Sequence, residues 1–262
     1  MVHSSIIKKE EDKFVDSLIF EGMTSISSII NSPDENDRKI IKIIYDEAKS
    51  KNKSKELNFL RNKSKELNFE MISASFEEIN ELTIGNSHGG IIAICSHRNI
   101  ENLSNINDGI KTNGFYVMLE GIEDPYNFGY ALRSLYAAGA DGVILSARNW
   151  MGAAGVVARA SAGASEMLPM YVDTDNSCAE HFKKRGYKIV CAGIRNSVSI
   201  YEADMKMPLL LIIGGEKRGI SSSLINQADS IVRIDYASNF KGSLSAASSA
   251  AIIGFEVMHQ NM

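Results

Sequence analysis

The chain has 262 residues, a net charge of −4, 44% hydrophobic residues and 23% charged residues. Those fractions belong to a soluble globular protein of one large domain or two ordinary ones, and no apolar run approaches the ~18 residues of a membrane helix. The acidic balance excludes binding of nucleic acid through bulk positive charge, though not through a local patch.

The opening stretch from Met1 to Asp12 lacks the basic-then-apolar layout of a secretion signal, so a cytoplasmic protein with no membrane partner is expected. From Arg38 to Ala48, apolar residues recur at Ile40, Ile41, Ile44 and Ala48, a spacing that predicts a helix. A short duplication follows: Asn52-Lys53-Ser54-Lys55-Glu56-Leu57-Asn58-Phe59 recurs as Asn62-Lys63-Ser64-Lys65-Glu66-Leu67-Asn68-Phe69. Two copies are too few for a solenoid, and the stretch reads as a helix with its basic residues exposed. Its cations, Lys53, Lys55 and Arg61 among them, face a single acid between Lys49 and Lys65, Glu56. They form either a solvated helix face or a surface for phosphates. Strand-like Phe69–Ile72 and Gly90–Cys95 flank a helix at Glu77–Leu82, which makes the front of the chain a small α/β domain.

Composition changes across the polar stretch Asn99–Gly114, from Lys, Glu, Asn and Ile in front to Gly and Ala behind. Domains at 1–100 and 114–262, joined by a linker at 101–113, are expected. The second domain alternates strands at Phe115–Glu120, Gly142–Ser146, Lys188–Ala192, Leu209–Ile213 and Ser230–Ile234 with helices at Phe128–Ala138, Ala153–Ala162, Ser177–Arg185, Ser221–Gln227 and Leu244–His259. Short continuous apolar strands each followed by a helix predict a parallel sheet covered on both faces. Ligands of such sheets bind beyond the carboxyl ends of the strands, here the loops after Glu120, Ile213 and Ile234. Cys95, Cys178 and Cys191 form no Cys-x-x-Cys pair, so buried reduced thiols are expected, with no zinc or other metal site.

In the first of those loops, Asn127 is placed to cap the following helix, and Arg133 lies on its second turn with a donor fork suited to phosphate. The second, Gly214-Gly215-Glu216-Lys217-Arg218-Gly219, allows close approach of backbone to a ligand but is neither a Walker loop nor a dinucleotide fingerprint. The third leads through Ser243-Leu244-Ser245 into a helix rich in Ser and Ala, whose small side chains let a ligand or other backbone pack closely.

Together these elements resemble the SpoU/TrmH family of RNA ribose 2′-O-methyltransferases, within the SPOUT superfamily. The family's Asn-x-Gly-x-x-x-Arg is matched by Asn127, Gly129 and Arg133. Its Gly-x-Glu-x-x-Gly is matched by Gly214, Glu216 and Gly219, and its Ser-Leu-Asn in part by Ser243 and Leu244. This chain departs at Ser245, where Asn is usual, and at Asp235-Tyr236, where Pro-Met is common. Ala160–Glu166 is similar to the Ser-x-Gly-Ala-x-Glu segment of large-subunit rRNA members. His88-Gly89-Gly90 and Glu21-Gly22 resemble parts of their ribosomal-protein-like RNA-binding domain.

The resemblance implies a trefoil knot in the C-terminal domain and S-adenosylmethionine held by backbone around Gly193, Gly214, Gly219, Ile234 and Leu244. It also implies a homodimer with sites completed across the interface, and RNA as substrate, with rRNA favoured over tRNA. The catalytic candidates are Arg133, Asn127, Glu216 and Ser243. Because guanidinium stays protonated, Arg133 is expected to bind the adjacent phosphate and stabilise an alkoxide rather than act as a base. In this setting Lys53, Lys55 and Arg61 become candidates for RNA contacts. His88 is expected to be structural. The alternatives are a protein of the same fold that binds RNA or cofactor with little or no turnover, and a nucleotide-dependent oxidoreductase.

Overall fold

The computed structural model describes residues 18–33, 38–83, 88–106, 108–146 and 153–262; the Met1–Asp12 stretch lies outside them. These residues form two units, one built mainly on residues up to Asn99 and the other on residues from Ile100 onward.

The first unit runs β1 (Leu18–Glu21), α1 (Gly22–Ile30), β2 (Ile40–Asp46), α2 (Ser54–Leu67), β3 (Glu70–Ala74), α3 (Phe76–Leu82) and β4 (Ile91–Cys95). Its sheet has the order β1-β4-β2-β3, with β4 antiparallel to both neighbours and β2 parallel to β3. The helix expected over Arg38–Ala48 is corrected here: most of that stretch is β2. Its Ile40, Ile41, Ile43 and Ile44 are β-branched, and a short run of such residues satisfies helical and strand spacing alike. What decides it is the interior position between β3 and β4, where Ile44 joins Ile79, Ile92 and Ile94 in the core. Lys42, buried within the same strand, is neutralised by Glu70 at 3.2 Å.

The duplicated segment is α2, as the sequence reading expects, but its copies are not equivalent. Ten residues of helix turn through about 1,000°, roughly 80° short of three full turns. Leu57 is therefore 1% exposed while its counterpart Leu67 is 47% exposed; Phe59 is exposed, whereas Phe69 lies beyond the helix, after the left-handed Asn68, and is buried. Only the Lys–Glu spacing survives the rotation, as ion pairs Lys53–Glu56 at 3.3 Å and Lys63–Glu66 at 2.8 Å. His88 is buried. Its Nδ1 accepts from the Gly90 amide at 3.0 Å and its Nε2 lies 2.8 Å from Asn80 Oδ1. Both ring nitrogens are thus engaged locally, in keeping with a structural role.

The second unit runs β5 (Glu101–Asn102), a 3-10 turn (Leu103–Asn105), β6 (Phe115–Glu120), α4 (Pro125–Ala137), β7 (Gly142–Ser146), α5 (Ala154–Ala160), α6 (Ala164–Met167) and β8 (Met170–Asp173). It continues through α7 (Cys178–Lys183), β9 (Lys188–Ala192), β10 (Val198–Ser199), β11 (Leu209–Gly214), α8 (Ser222–Ile225), β12 (Ser230–Arg233) and α9 (Ala246–Gln260). The sheet order is β10-β12-β9-β11-β6-β7-β8-β5, and every pairing is parallel. Alternate residues feed opposite faces, as strand geometry requires. Phe115, Val117 and Leu119 of β6 pack with Leu132 and Leu135 of α4 and Ile253 and Val257 of α9. Tyr116 and Met118 pack instead with Cys178 and Phe182 of α7 and Leu224 of α8.

The α/β class and the doubly covered parallel sheet agree with the sequence reading. The expected linker at 101–113 does not: Glu101 and Asn102 form an edge strand paired with β8. The strands β5, β8 and β10 escape sequence reasoning because they are short and carry mixed residues. All three cysteines are buried free thiols. Among the described residues no helix is long and apolar enough to cross a membrane.

Candidate active site

Strands β11, β9 and β12 lie side by side, and their carboxyl ends open into a cavity of about 940 Å³. The turn after β9, the glycine loop after β11 and the stretch 234–244 after β12 form its walls. Gly193, Gly214, Gly219, Ile234 and Leu244, the expected cofactor-binding residues, all line it.

The glycine loop is fixed by sterics. A Cβ at Gly214 would fall 2.3 Å from the Gly219 carbonyl carbon, and one at Gly215 would fall 2.1 Å from the Gly121 carbonyl oxygen. The loop therefore folds onto itself and against the end of β6 at backbone contact, which no side chain permits. Hydrogen bonds hold it there: Gly215 N donates to Glu120 O at 2.7 Å, and Ser221 N donates to the Glu120 carboxylate at 2.8 Å.

The helix expected from Phe128 begins three residues earlier, and its cap is Asp124, not Asn127. Asp124 Oδ1 accepts from the Tyr126 amide at 2.7 Å, and Pro125 takes the first helical position, where a missing N–H costs nothing. This frees the Asn127 side chain, whose Nδ2 donates to Glu216 Oε1 at 3.1 Å. The same oxygen accepts from the Ala246 amide at 3.0 Å. Glu216 thus joins the three sequence motifs: the glycine loop carries it, α4 presents Asn127, and the first turn of α9 supplies an N–H where the helix dipole favours negative charge. Gly129 lets α4 pack tightly, since a Cβ there would meet the Ala160 Cβ at 2.6 Å.

Ser243 lines the cavity with Glu216. Arg133 does not. Six residues of helix place it about 120° around α4 from Asn127. It is exposed and makes no hydrogen bond or ion pair among the described residues. Ser245 caps α9, its Oγ accepting from Ser248 N at 3.1 Å and bonding Ser248 Oγ at 3.1 Å, so its hydroxyl is committed to its own helix. Lys53, Lys55 and Arg61 belong to the first unit. Lys55 and Arg61 are exposed, Lys53 pairs with Glu56, and Arg61 donates to Asn58 at 3.0 Å.

Sequence reasoning pointed to two of the loops at the rim but not to the side chains that form it. Tyr236, Phe240, Lys241 and Arg195 also line the cavity, as does Arg218 of the glycine loop. Their loops have no periodicity, and only the sheet order brings them together. The cavity fits a ligand of the size and mixed character of S-adenosylmethionine. Its volume falls in the range of about 300–1,000 Å³ usual for small-molecule sites. Ile220, Ile225 and Ile231 give it an apolar lining, and Gly193, where a Cβ would lie 3.1 Å from Ile231, keeps that wall open.

An all-parallel sheet with a nucleotide-sized cavity at adjacent strand ends is the arrangement in which α/β proteins hold nucleotide-like ligands. Residues 114–255 match the model of the SpoU rRNA Methylase family, and the chain belongs to that family. A TrmH family relative from Staphylococcus saprophyticus is 35% identical over 145 residues, 55% of this chain and 58% of the relative, so the match spans little more than half of that protein. The 23S rRNA (guanosine-2′-O-)-methyltransferase RlmB of Ralstonia nicotianae is 28% identical over 227 residues, 86% of this chain and 90% of the relative. The crystal structure of an AdoMet-bound rRNA methyltransferase from Sinorhizobium meliloti shares the fold with a TM-score of 0.78 at 22% identity, covering 97% of this chain and 91% of that one.

Proposed function

We propose that the chain transfers a methyl group from S-adenosylmethionine to a ribose 2′-hydroxyl of RNA, with rRNA favoured over tRNA, as a cytoplasmic homodimer. The observation that carries this is the convergence on Glu216 at the mouth of a cavity lined by all the expected cofactor contacts. Family membership and the RlmB relative support the substrate class.

When bound, S-adenosylmethionine supplies a methyl carbon activated by the adjacent sulfonium. The chain's own residues must then position a ribose oxygen and manage the charge that develops as its proton leaves. Glu216 Oε1 is occupied by Asn127 and Ala246, which fixes the carboxylate, while Oε2 has no hydrogen bond among the described residues and is free to accept from a substrate hydroxyl. Ser243 offers a hydroxyl at the same cavity wall. Arg133, permanently charged, binds phosphate and stabilises the alkoxide as a donor. Its outward position on α4 is supplied to the partner's site in a homodimer. Exposed Tyr130 and Tyr136 of α4 and Phe255 of α9 give that face the apolar aromatic character of an interface. The trefoil knot implied by the resemblance belongs to the same proposal.

The test is methyl transfer from labelled cofactor to total RNA, with the modified position mapped. Transfer to a base, or none at all, overturns the reading. A pH–rate profile of Arg133→Lys separates roles: the bidentate donor role predicts a loss of about 10²-fold or more without a new pH-dependent limb, and near-full activity of the Lys variant rejects it.

A further inference from the structure

The stretch after β12 carries two large aromatic side chains that the transfer chemistry does not use. Tyr236 is 37% exposed and Phe240 is 55% exposed, yet both line the cavity. Their ring centroids are 5.7 Å apart, with the planes inclined at 54°. Neither ring hangs loose. The Tyr236 hydroxyl accepts from the Leu244 amide at 3.2 Å, which closes the loop on itself. The tip of the Phe240 ring sits where a Cβ of residue 242 would be, at 2.5 Å, so that only glycine at this position lets the ring lie there. Two adjacent aromatic rings held in place yet left partly open to water at a cavity mouth offer apolar area that a ligand can cover.

Charge around the same mouth is uneven. Arg195, Arg218 and Lys241 line it, are exposed, and have no hydrogen bond or ion pair among the described residues. Of the neighbouring acids, Asp235 is paired with Arg233 at 2.8 Å, and Glu216 is held through Oε1 by Asn127 and Ala246, so three unpaired cations face one carboxylate that keeps a free oxygen. A chain of net charge −4 thus presents free cations beside an aromatic pair. That combination suits a nucleotide taken out of a helix: every base has a π face for the rings, and its phosphate finds the cations.

We propose that Tyr236 and Phe240 form a platform on which an unpaired nucleobase stacks at the cavity mouth, with Lys241, Arg195 and Arg218 holding the adjacent phosphate. This rests on the proposed RNA 2′-O-methylation, and it deepens that reading by making a single-stranded or flipped-out nucleotide the form that is recognised. The base belongs to the RNA, because the cations beside the rings call for a phosphate, which S-adenosylmethionine lacks.

The probes are a short unstructured RNA carrying 2-aminopurine, whose fluorescence is quenched on stacking, and S-adenosylhomocysteine titrated by calorimetry without RNA. Both use the full chain and need no turnover. Phe240→Ala and Phe240→Leu are expected to weaken RNA binding about 5- to 150-fold and to abolish the quench, while Phe240→Trp retains both. Leu keeps the bulk and loses the π face, so its behaviour separates stacking from packing. Loss confined to S-adenosylhomocysteine binding overturns the proposal, because the rings then serve the cofactor's adenine and not an RNA base. If Ala and Leu leave both affinities within about twofold of the parent, the platform is rejected. Methyl transfer by the parent chain is measured alongside. Transfer that is insensitive to Phe240 together with unchanged binding sinks the platform and leaves the reaction standing. Phe240-dependent quenching without transfer does the reverse.

Discussion

Buried polar side chains of the first unit differ from the exposed ones at the cavity of the second. In the first, three buried polar side chains are answered locally, with Ser25 Oγ the exception: Lys42 meets Glu70, His88 meets Asn80 and the Gly90 amide, and Asp46 accepts from the Ala48 amide at 3.0 Å. In the second, the polar groups at the ends of β9, β11 and β12 are left incomplete. Glu216 has a free oxygen, and Arg195, Arg218 and Lys241 have no partner among the described residues. A buried polar group must be satisfied for the fold to stand, whereas an exposed unsatisfied one at a cavity is available to a ligand. The contrast marks the cavity of the second unit, with no use of any motif, as a place where a ligand finds unpaired polar groups.

The contrast breaks most directly at Glu216. In Glu216→Ala, the Asn127 amide and the Ala246 N–H lose their common acceptor, and the misplacement is expected to lower methyl transfer about 10²-fold. Glu216→Gln, which keeps an acceptor oxygen, should recover the cofactor affinity that the Ala variant loses, so a split between kcat and KM reports whether charge or positioning matters.

Glycines give the next largest difference. Gly215→Ala puts a methyl group 2.1 Å from the Gly121 carbonyl oxygen and is expected to cost about 1–3 kcal/mol, with loss of S-adenosylhomocysteine binding. Gly89→Ala in the first unit meets nothing within 4 Å, so only its φ of +62° opposes it, at about 1 kcal/mol and with cofactor binding intact. Denaturant unfolding of both variants checks the ranking, and equal binding losses would erase the distinction between the units.

A smaller effect is expected at α2. Replacing Lys55 and Arg61 by Gln should reduce the salt dependence of RNA binding by about 0.7 in log–log slope for each phosphate that the helix no longer neutralises. An unchanged slope removes this face from the RNA surface.

The smallest is a pH effect. Burial holds the His88 imidazole below its ordinary value of 6.5, aided by Lys49 and opposed by Glu21 and Asp46. The unfolded chain therefore takes up a proton near 6.5 that the folded one resists. His88 contributes stability above that pH and loses it as pH falls. Melting temperature measured from about pH 8 to about pH 5.5 should decline less steeply in His88→Gln, and parallel curves would contradict the assignment.

Much of the second unit was legible because its strands are buried on both faces and read as continuous apolar runs; Phe115–Glu120 needed no correction. The first unit resisted at β2, where a run of isoleucines fits either period and only its neighbours decide. The Gly214–Gly219 loop was legible because close backbone approach demands glycine. Arg133 was legible only through resemblance, since a helix places it away from Asn127. The loops that carry Arg218, Tyr236 and Phe240 were legible as ligand-binding places, but these side chains and Arg195 were not legible as the cavity's rim. Tyr236, Phe240, Arg195 and Arg218 come from three separate loops, and nothing local foretells that β11, β9 and β12 lie side by side.

That strand order also bears on how quickly the molecule can assemble. Phe115 of β6 pairs with Leu209 of β11, and β7, β8, β9 and β10 intervene in the chain. Closing so long a loop costs entropy before its pairings offset it, and parallel pairing of distant strands is the slow case. The cavity exists only once this seam and its neighbours have zipped, so a ligand captured there would report the end of folding, and mass action would draw late, unsealed molecules toward the finished state.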